Sequence, residues 1–138
     1  MTYQDSATPS AELRKILIVD DDVSSSYLLK AILERTGKFK ALVENESNDA
    51  LQTCLEFKPD LIFLDIVMPH IEGTTLAYRI HAHPSLQEIP IIYLTGIVPR
   101  ESSMPHNRLG DFPVILKPVK VEEVFACIET HTQARSVA

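Results

Sequence analysis

Short apolar runs, separated by longer stretches of helical spacing, set the pattern of this chain. The runs are Ile16-Leu17-Ile18-Val19, Ala41-Leu42-Val43, Leu61-Ile62-Phe63-Leu64, Ile91-Ile92-Tyr93-Leu94 and Val114-Ile115-Leu116. An unbroken apolar run of this length reads as a strand buried on both faces. The predicted strands cover about 15–19, 40–44, 61–64, 91–94 and 114–116. Helices are predicted at about 24–35, 47–57, 72–82 and 121–130. The first presents Leu28, Ala31, Ile32 and Arg35 on one face, and the second Ala50, Leu51, Cys54 and Leu55. The third turns Leu76, Ala77 and Ile80 inward, and the last Val121, Val124, Phe125 and Ile128. Gly37 is a stop signal, Ser47 a candidate N-cap, and Pro59 and Pro84 lie beyond helix ends.

One helix reads badly. Pro99, Pro105 and Pro113 interrupt the stretch between the last two strands, so a short or irregular fourth helix is expected there. Strands alternating with helices predict an α/β fold, a doubly wound (βα)5 parallel sheet of five strands with helices on both faces. Residues 1–12 read as a polar arm, 13–131 as one domain, and 132–138 as a frayed tail.

The strand exits carry the chemistry. The first run ends in Asp20-Asp21-Asp22, the third in Asp65, the fourth in Thr95-Gly96 and the fifth in Lys117-Pro118. Open parallel sheets bind ligands at the carboxyl ends of their strands. Asp20, Asp21 and Asp65 should therefore converge, and crowded carboxylates call for a cation. Oxygen donors suit a hard ion such as Mg²⁺, which often shares phosphate oxygens. Phosphoryl transfer to a carboxylate is the chemistry such a site invites. Taken singly, each feature has a plainer reading: a helix N-terminus, a turn, a surface lysine. Their order, each just after an apolar run, favours the joint reading.

Composition narrows the function classes. The chain has 138 residues and a net charge of -6, which argues against a primary role on nucleic acid. No stretch approaches a membrane span, and the polar N-terminus lacks an apolar signal core, so a cytoplasmic location is expected. The two cysteines, Cys54 and Cys127, fall within helical patterns and read as reduced thiols.

The motifs Ile16-Leu17-Ile18-Val19-Asp20-Asp21-Asp22, Pro59-Asp60-Leu61-Ile62-Phe63-Leu64-Asp65-Ile66-Val67-Met68-Pro69, Glu72-Gly73, Thr95-Gly96 and Lys117-Pro118 resemble those of receiver domains of two-component response regulators. The resemblance runs from about Leu13 to Thr130 and implies a flavodoxin-like strand order 2-1-3-4-5, as in the chemotaxis regulator. It implies Asp65 as phosphoacceptor, Asp21 as direct Mg²⁺ ligand, Asp20 as its partner and Val67 as the donor of a backbone carbonyl to the metal. Thr95 resembles the switch hydroxyl, Lys117 the cation that pairs with acid and then phosphate, and Pro118 suggests a cis peptide. The implied phosphoryl source is a sensor histidine kinase or a histidine phosphotransfer protein. The implied output is contact with a downstream protein, since no DNA-binding or enzymatic segment is recognised after Thr130. Catalysis is expected to extend only to the chain's own phosphorylation and dephosphorylation.

Two departures stand out. Val114 occupies the position, three residues before the lysine, where the family commonly carries Tyr or Phe, and the fourth helix is broken by prolines. The alternatives differ in what they need. An interaction module without phosphorylation would have lost an acid, the threonine or the lysine. A flavin protein needs a first loop that cradles phosphate, which Asp20-Asp21-Asp22 would repel. A phosphatase with an aspartate nucleophile needs a general acid where Val67 stands. The histidines form no metal-ligand spacing; His81 and His83 read as solvated helix-end residues.

Overall fold

A computed structural model describes residues 13–96 and 108–137. Its strands are β1 (Arg14–Val19), β2 (Phe39–Glu44), β3 (Leu61–Asp65), β4 (Ile91–Thr95), β5 (Arg108–Leu109) and β6 (Phe112–Leu116). Its helices are α1 (Val23–Arg35), α2 (Ala50–Phe57), α3 (Gly73–Ala82) and α4 (Val121–Val137), with a 3-10 turn at Ser47–Asp49 before α2.

The sheet order is β2-β1-β3-β4-β6-β5. All pairs are parallel except β5 with β6. The parallel part reproduces the expected 2-1-3-4-5 order, with β6 in the fifth place. Alternation within each strand feeds two cores. Leu17, Val19, Ile62, Leu64, Ile91 and Tyr93 meet α2 and α3 on one face. Ile16, Ile18, Leu61, Phe63, Ile92 and Leu94 meet α1 and α4 on the other. Burying both faces removes each such side chain from water, worth ~1.5–3 kcal/mol apiece. This explains why these strands read as continuous apolar runs.

The short β5 was not predicted. Leu109 pairs with Phe112, and Gly110-Asp111 makes the two-residue turn between them, with Gly110 at φ +60. Gly-Asp between apolar residues is a hairpin signal, obscured here by the neighbouring prolines. The predicted irregular fourth helix falls largely on residues 97–107, outside the described residues.

Three helix readings are corrected. The buried face of α1 is Ser26, Leu29 and Leu33, whereas Leu28 is 63% exposed. Ser26 hides among apolar neighbours because its hydroxyl donates to the Asp22 carbonyl (2.8 Å), so a polar residue starts the stripe and displaces it by one position. Val121, expected inward on α4, is 37% exposed, while Val124 and Ile128 are buried. Helix α4 also continues through Val137 where a frayed tail was expected from Thr132. Thr132 is buried, and its hydroxyl accepts from Arg14 (2.9 Å) while donating to the Ile128 carbonyl (2.7 Å). Arg14 also pairs with Glu129 (3.0 Å) and lies over the Phe39 ring.

The outer edge of the sheet at β2 is covered by α1. Lys30 Nζ donates to the Ala41 carbonyl, and the Ala41 N–H donates to Glu34, both at 3.0 Å. Cys54 and Cys127 are free thiols. Burial pushes them up to about 12 and about 11, so neither is a ready nucleophile.

Candidate functional site

The carboxyl ends of β1, β3, β4 and β6 meet at one crevice. Asp20 directly follows β1, Asp65 and Thr95 end β3 and β4, and Lys117 directly follows β6. Asp20, Asp65 and Thr95 are buried, while Asp21 is exposed. One oxygen each from Asp20, Asp21 and Asp65 lies within 4.8 Å of the others. Lys117 Nζ sits 3.1 Å from Asp20 Oδ2 and 3.7 Å from Asp65 Oδ1. The Lys117 backbone N–H donates to the Thr95 carbonyl (2.8 Å), tying the lysine's strand to the threonine's. The Lys117–Pro118 peptide is cis, as anticipated.

Charge is concentrated here. Burial, and then the neighbouring Asp20 charge, push the Asp65 carboxyl up to about 6, with Lys117 pulling the other way. For Lys117, burial disfavours the ammonium. The hydrogen bond to Asp20 and its charge, with Asp65 and Asp22 behind, outweigh that and hold the lysine above its ordinary value. The crevice thus sets three acids against one ammonium. Three carboxylate oxygens converge within 4.8 Å with one ammonium beside them, and the donors are all hard oxygens. These residues fit a divalent ion of the Mg²⁺ type.

Asp22 is not part of this set. It caps α1, accepting from the Ser25 N–H (3.2 Å), and that backbone hydrogen bond holds its carboxyl below the ordinary range. Its own N–H donates to Asp20 Oδ1 (2.9 Å), orienting the buried acid.

The loop after Asp65 forms the other wall. The Val67 N–H reaches Asp65 Oδ1 at 3.4 Å, and Val67 is 57% exposed. Gly73 closes the loop by donating to the Ile66 carbonyl (2.7 Å). A Cβ at Gly73 would fall 2.2 Å from the Asp65 carbonyl oxygen and 2.7 Å from Ile66 Cα. Only a residue without a side chain lets α3 start this close to the acid. Within the loop, His70 adopts φ +76, an uncommon conformation for a non-glycine residue. The preceding carbonyl, Pro69, accepts from Ser47 (2.8 Å). Ser47 is therefore a loop anchor and not the predicted N-cap; Glu46 caps the 3-10 turn through the Asn48 N–H (3.2 Å).

The sequence-predicted residues Asp20, Asp21, Asp65, Thr95 and Lys117 share the crevice, with Val67 at its rim. Sequence reasoning missed the supporting shell. Asn45 and Ser26 are polar residues at a strand exit and a helix start, and nothing in their spacing announces a role, while Ser47 was read only as an N-cap. Gly73 was noted only as part of a motif, while its need is steric.

The chain matches the family described as the response regulator receiver domain over residues 16–129. It is 31% identical over 118 residues to a probable cyclic di-GMP phosphodiesterase of Vibrio cholerae, covering 86% of this chain and 26% of that protein. It is 30% identical over 116 residues to protein PilH of Pseudomonas aeruginosa, covering 84% of this chain and 95% of PilH. Several curated relatives are much longer, and the chain spans between about a quarter and a half of their length. Among solved structures, a CheY-like receiver domain protein of Methanospirillum hungatei is similar at TM-score 0.77 and 27% identity, covering 91% of this chain and 98% of that one. A response regulator structure from Chloroflexus aurantiacus has TM-score 0.77 and 25% identity, covering 88% and 99%.

Proposed function

The chain belongs to the response regulator receiver domain family, and from that premise we propose that it accepts a phosphoryl group on Asp65 and relays the signal by protein contact. The observation that carries this reading is the Lys117 ammonium, 3.1 Å from Asp20 and 3.7 Å from Asp65, beside a third carboxylate. A structural ion pair needs one acid; this lysine faces a surplus of them.

The proposed donor is a phosphohistidine on a sensor histidine kinase or a histidine phosphotransfer protein. An Asp65 carboxylate oxygen attacks phosphorus, the bond to the histidine nitrogen breaks, and the imidazole leaves with the electron pair. Asp65 must be ionised to attack, which a carboxyl at about 6 is at neutral pH. Asp20, Asp21, Asp65 and the Val67 carbonyl would hold Mg²⁺, which supplies positive charge for the transferring oxygens. The Lys117 ammonium moves its partnership from Asp65 to the acquired phosphoryl group, and the Thr95 hydroxyl orients that group. The activity is confined to the chain's own phosphorylation and dephosphorylation. The downstream partner is a protein, met in the cytoplasm. Among the described residues no helix is long and apolar enough to cross a membrane.

The test is incubation with acetyl phosphate and Mg²⁺, read by intact mass. One added phosphoryl group is expected, absent in Asp65→Asn and absent with chelator. A modification that persists in either condition refutes Asp65 as a metal-assisted acceptor.

A further inference from the structure

We propose that Asn45 is a positioning residue that holds the acidic loop 20–22 in the geometry needed to bind the divalent ion. The inference rests on the metal-binding reading of the crevice given above and adds the part that shapes it. Asn45 lies just beyond β2, the outermost of the parallel strands. Its Nδ2 donates to the Asp20 carbonyl (2.6 Å) and to Ser26 Oγ (3.0 Å). The orientation of the amide follows from these partners. A carbonyl can only accept, so the nitrogen must face Asp20. The Ser26 hydroxyl proton is directed to the Asp22 carbonyl (2.8 Å), leaving its lone pairs to accept from Asn45.

The result is a closed set of bonds around three residues. The Asp20 N–H donates to the Glu44 carbonyl (3.2 Å), so β2 grips Asp20 through both its backbone groups. From the helix side, Ser26 holds the Asp22 carbonyl through its hydroxyl and its N–H. Between them, the Asp22 N–H holds the Asp20 carboxylate (2.9 Å). Asn45 is the link that joins the strand side to the helix side. Without it, the Asp20 carbonyl loses a half-buried donor and the Ser26 hydroxyl loses its tie to the end of β2. The loop then has freedom to let Asp20 and Asp21 spread, which their mutual repulsion favours. Metal affinity is sensitive to such outer partners: removing one costs ~10–100-fold.

The test compares the wild type with Asn45→Ala, Ser26→Ala and Thr132→Ala, all as full chains. Mg²⁺ affinity is read by NMR titration of backbone amides, and thermal melts are taken in chelator. Asn45→Ala should weaken Mg²⁺ binding by ~10-fold or more, and Ser26→Ala by a smaller factor. Thr132→Ala removes a buried hydroxyl at the opposite end of the domain, so it should lower the melting temperature and leave Mg²⁺ affinity unchanged. If Asn45→Ala melts lower yet binds Mg²⁺ as tightly as the wild type, Asn45 is merely structural and the proposal is overturned. Should Asn45→Ala fail to fold, Ser26→Ala decides: wild-type affinity overturns the proposal, weakened affinity supports it. A folded wild type that binds no Mg²⁺ overturns the metal reading itself, and is distinguished by appearing before any variant is made.

Discussion

Neutralising Asp65 in the metal-free protein should stabilise it, and by an amount that grows with pH. The carboxyl is held at about 6 in the folded chain against 3.8 when unfolded, because of burial and the Asp20 charge. A group raised on folding stabilises the native state fully below its unfolded value, and that stability is lost as pH rises through the folded value. The wild type should therefore lose stability between about pH 4 and pH 7 on account of this group. The full difference corresponds to ~3 kcal/mol. Asp65 is 6% exposed, but the neighbouring Asp21 is exposed, and water there screens part of the repulsion. An effect of ~1.5–3 kcal/mol at pH 7.5 is expected. Asp65→Asn keeps the shape and cannot ionise. Urea unfolding of both proteins in chelator, from pH 4.5 to 8, isolates the charge of the crevice, because titrations away from it are common to both. The stability gap should open with rising pH and narrow when Mg²⁺ is added. A gap that does not change with pH, or an Asp65→Asn variant less stable at pH 7.5, would refute the crowding of charge inferred for the crevice.

Other outcomes follow from the same contacts. Gly73→Ala places a Cβ 2.2 Å from the Asp65 carbonyl oxygen, so the start of α3 must shift; a loss of ~2–4 kcal/mol in urea unfolding is expected, and a change within 0.5 kcal/mol would contradict it. Asp21→Asn should raise the metal-free melting temperature, by less than Asp65→Asn because Asp21 is exposed, while weakening Mg²⁺ binding; a clearly lower melt would count against repulsion at that position. Val67, an exposed apolar residue two positions after Asp65, should hinder placement of a hydrolytic water, and Ile97, outside the described residues, is the second such position by family analogy; the phosphorylated Val67→Asn, Ile97→Glu protein should lose its phosphoryl group faster after donor removal, and unchanged decay would refute this. Arg14→Ala strips a bond from buried Thr132 and the cation from the Phe39 ring, so a loss of ~1–2 kcal/mol is expected, checked by chemical unfolding.

Most of the fold was legible because a parallel sheet buried on both faces leaves a plain trace. Ile16–Val19 and Leu61–Leu64 have no polar residue to hide, and their exits bring Asp20 and Asp65 to the same crevice. What escaped notice did so for local reasons. Ser26 enters the core because its hydroxyl is satisfied within its own helix, which no hydropathy pattern encodes. The β5–β6 hairpin hid behind prolines that counted against regular structure, although Gly110-Asp111 carried its turn. The extension of α4 through Thr132 depends on Arg14, 118 residues away in sequence. Asn45 and Gly73 matter through a bond and a clearance across the fold, and such requirements appear only once the strands are laid side by side.

The cover that α1 gives to β2 bears on how the molecule behaves in company. An outermost strand presents unpaired backbone groups to any extended chain that drifts past, and in a concentrated solution this is how strands add and aggregates begin. Phe39–Glu44 is apolar enough to be such a template. Lys30 and Glu34 occupy the carbonyl and N–H of Ala41, near the middle of the strand, with a side-chain pair that itself lies 3.5 Å apart. An incoming strand would have to displace both contacts and separate the pair before gaining its first central hydrogen bond. The two charges on one helix thus keep this edge of the sheet solitary.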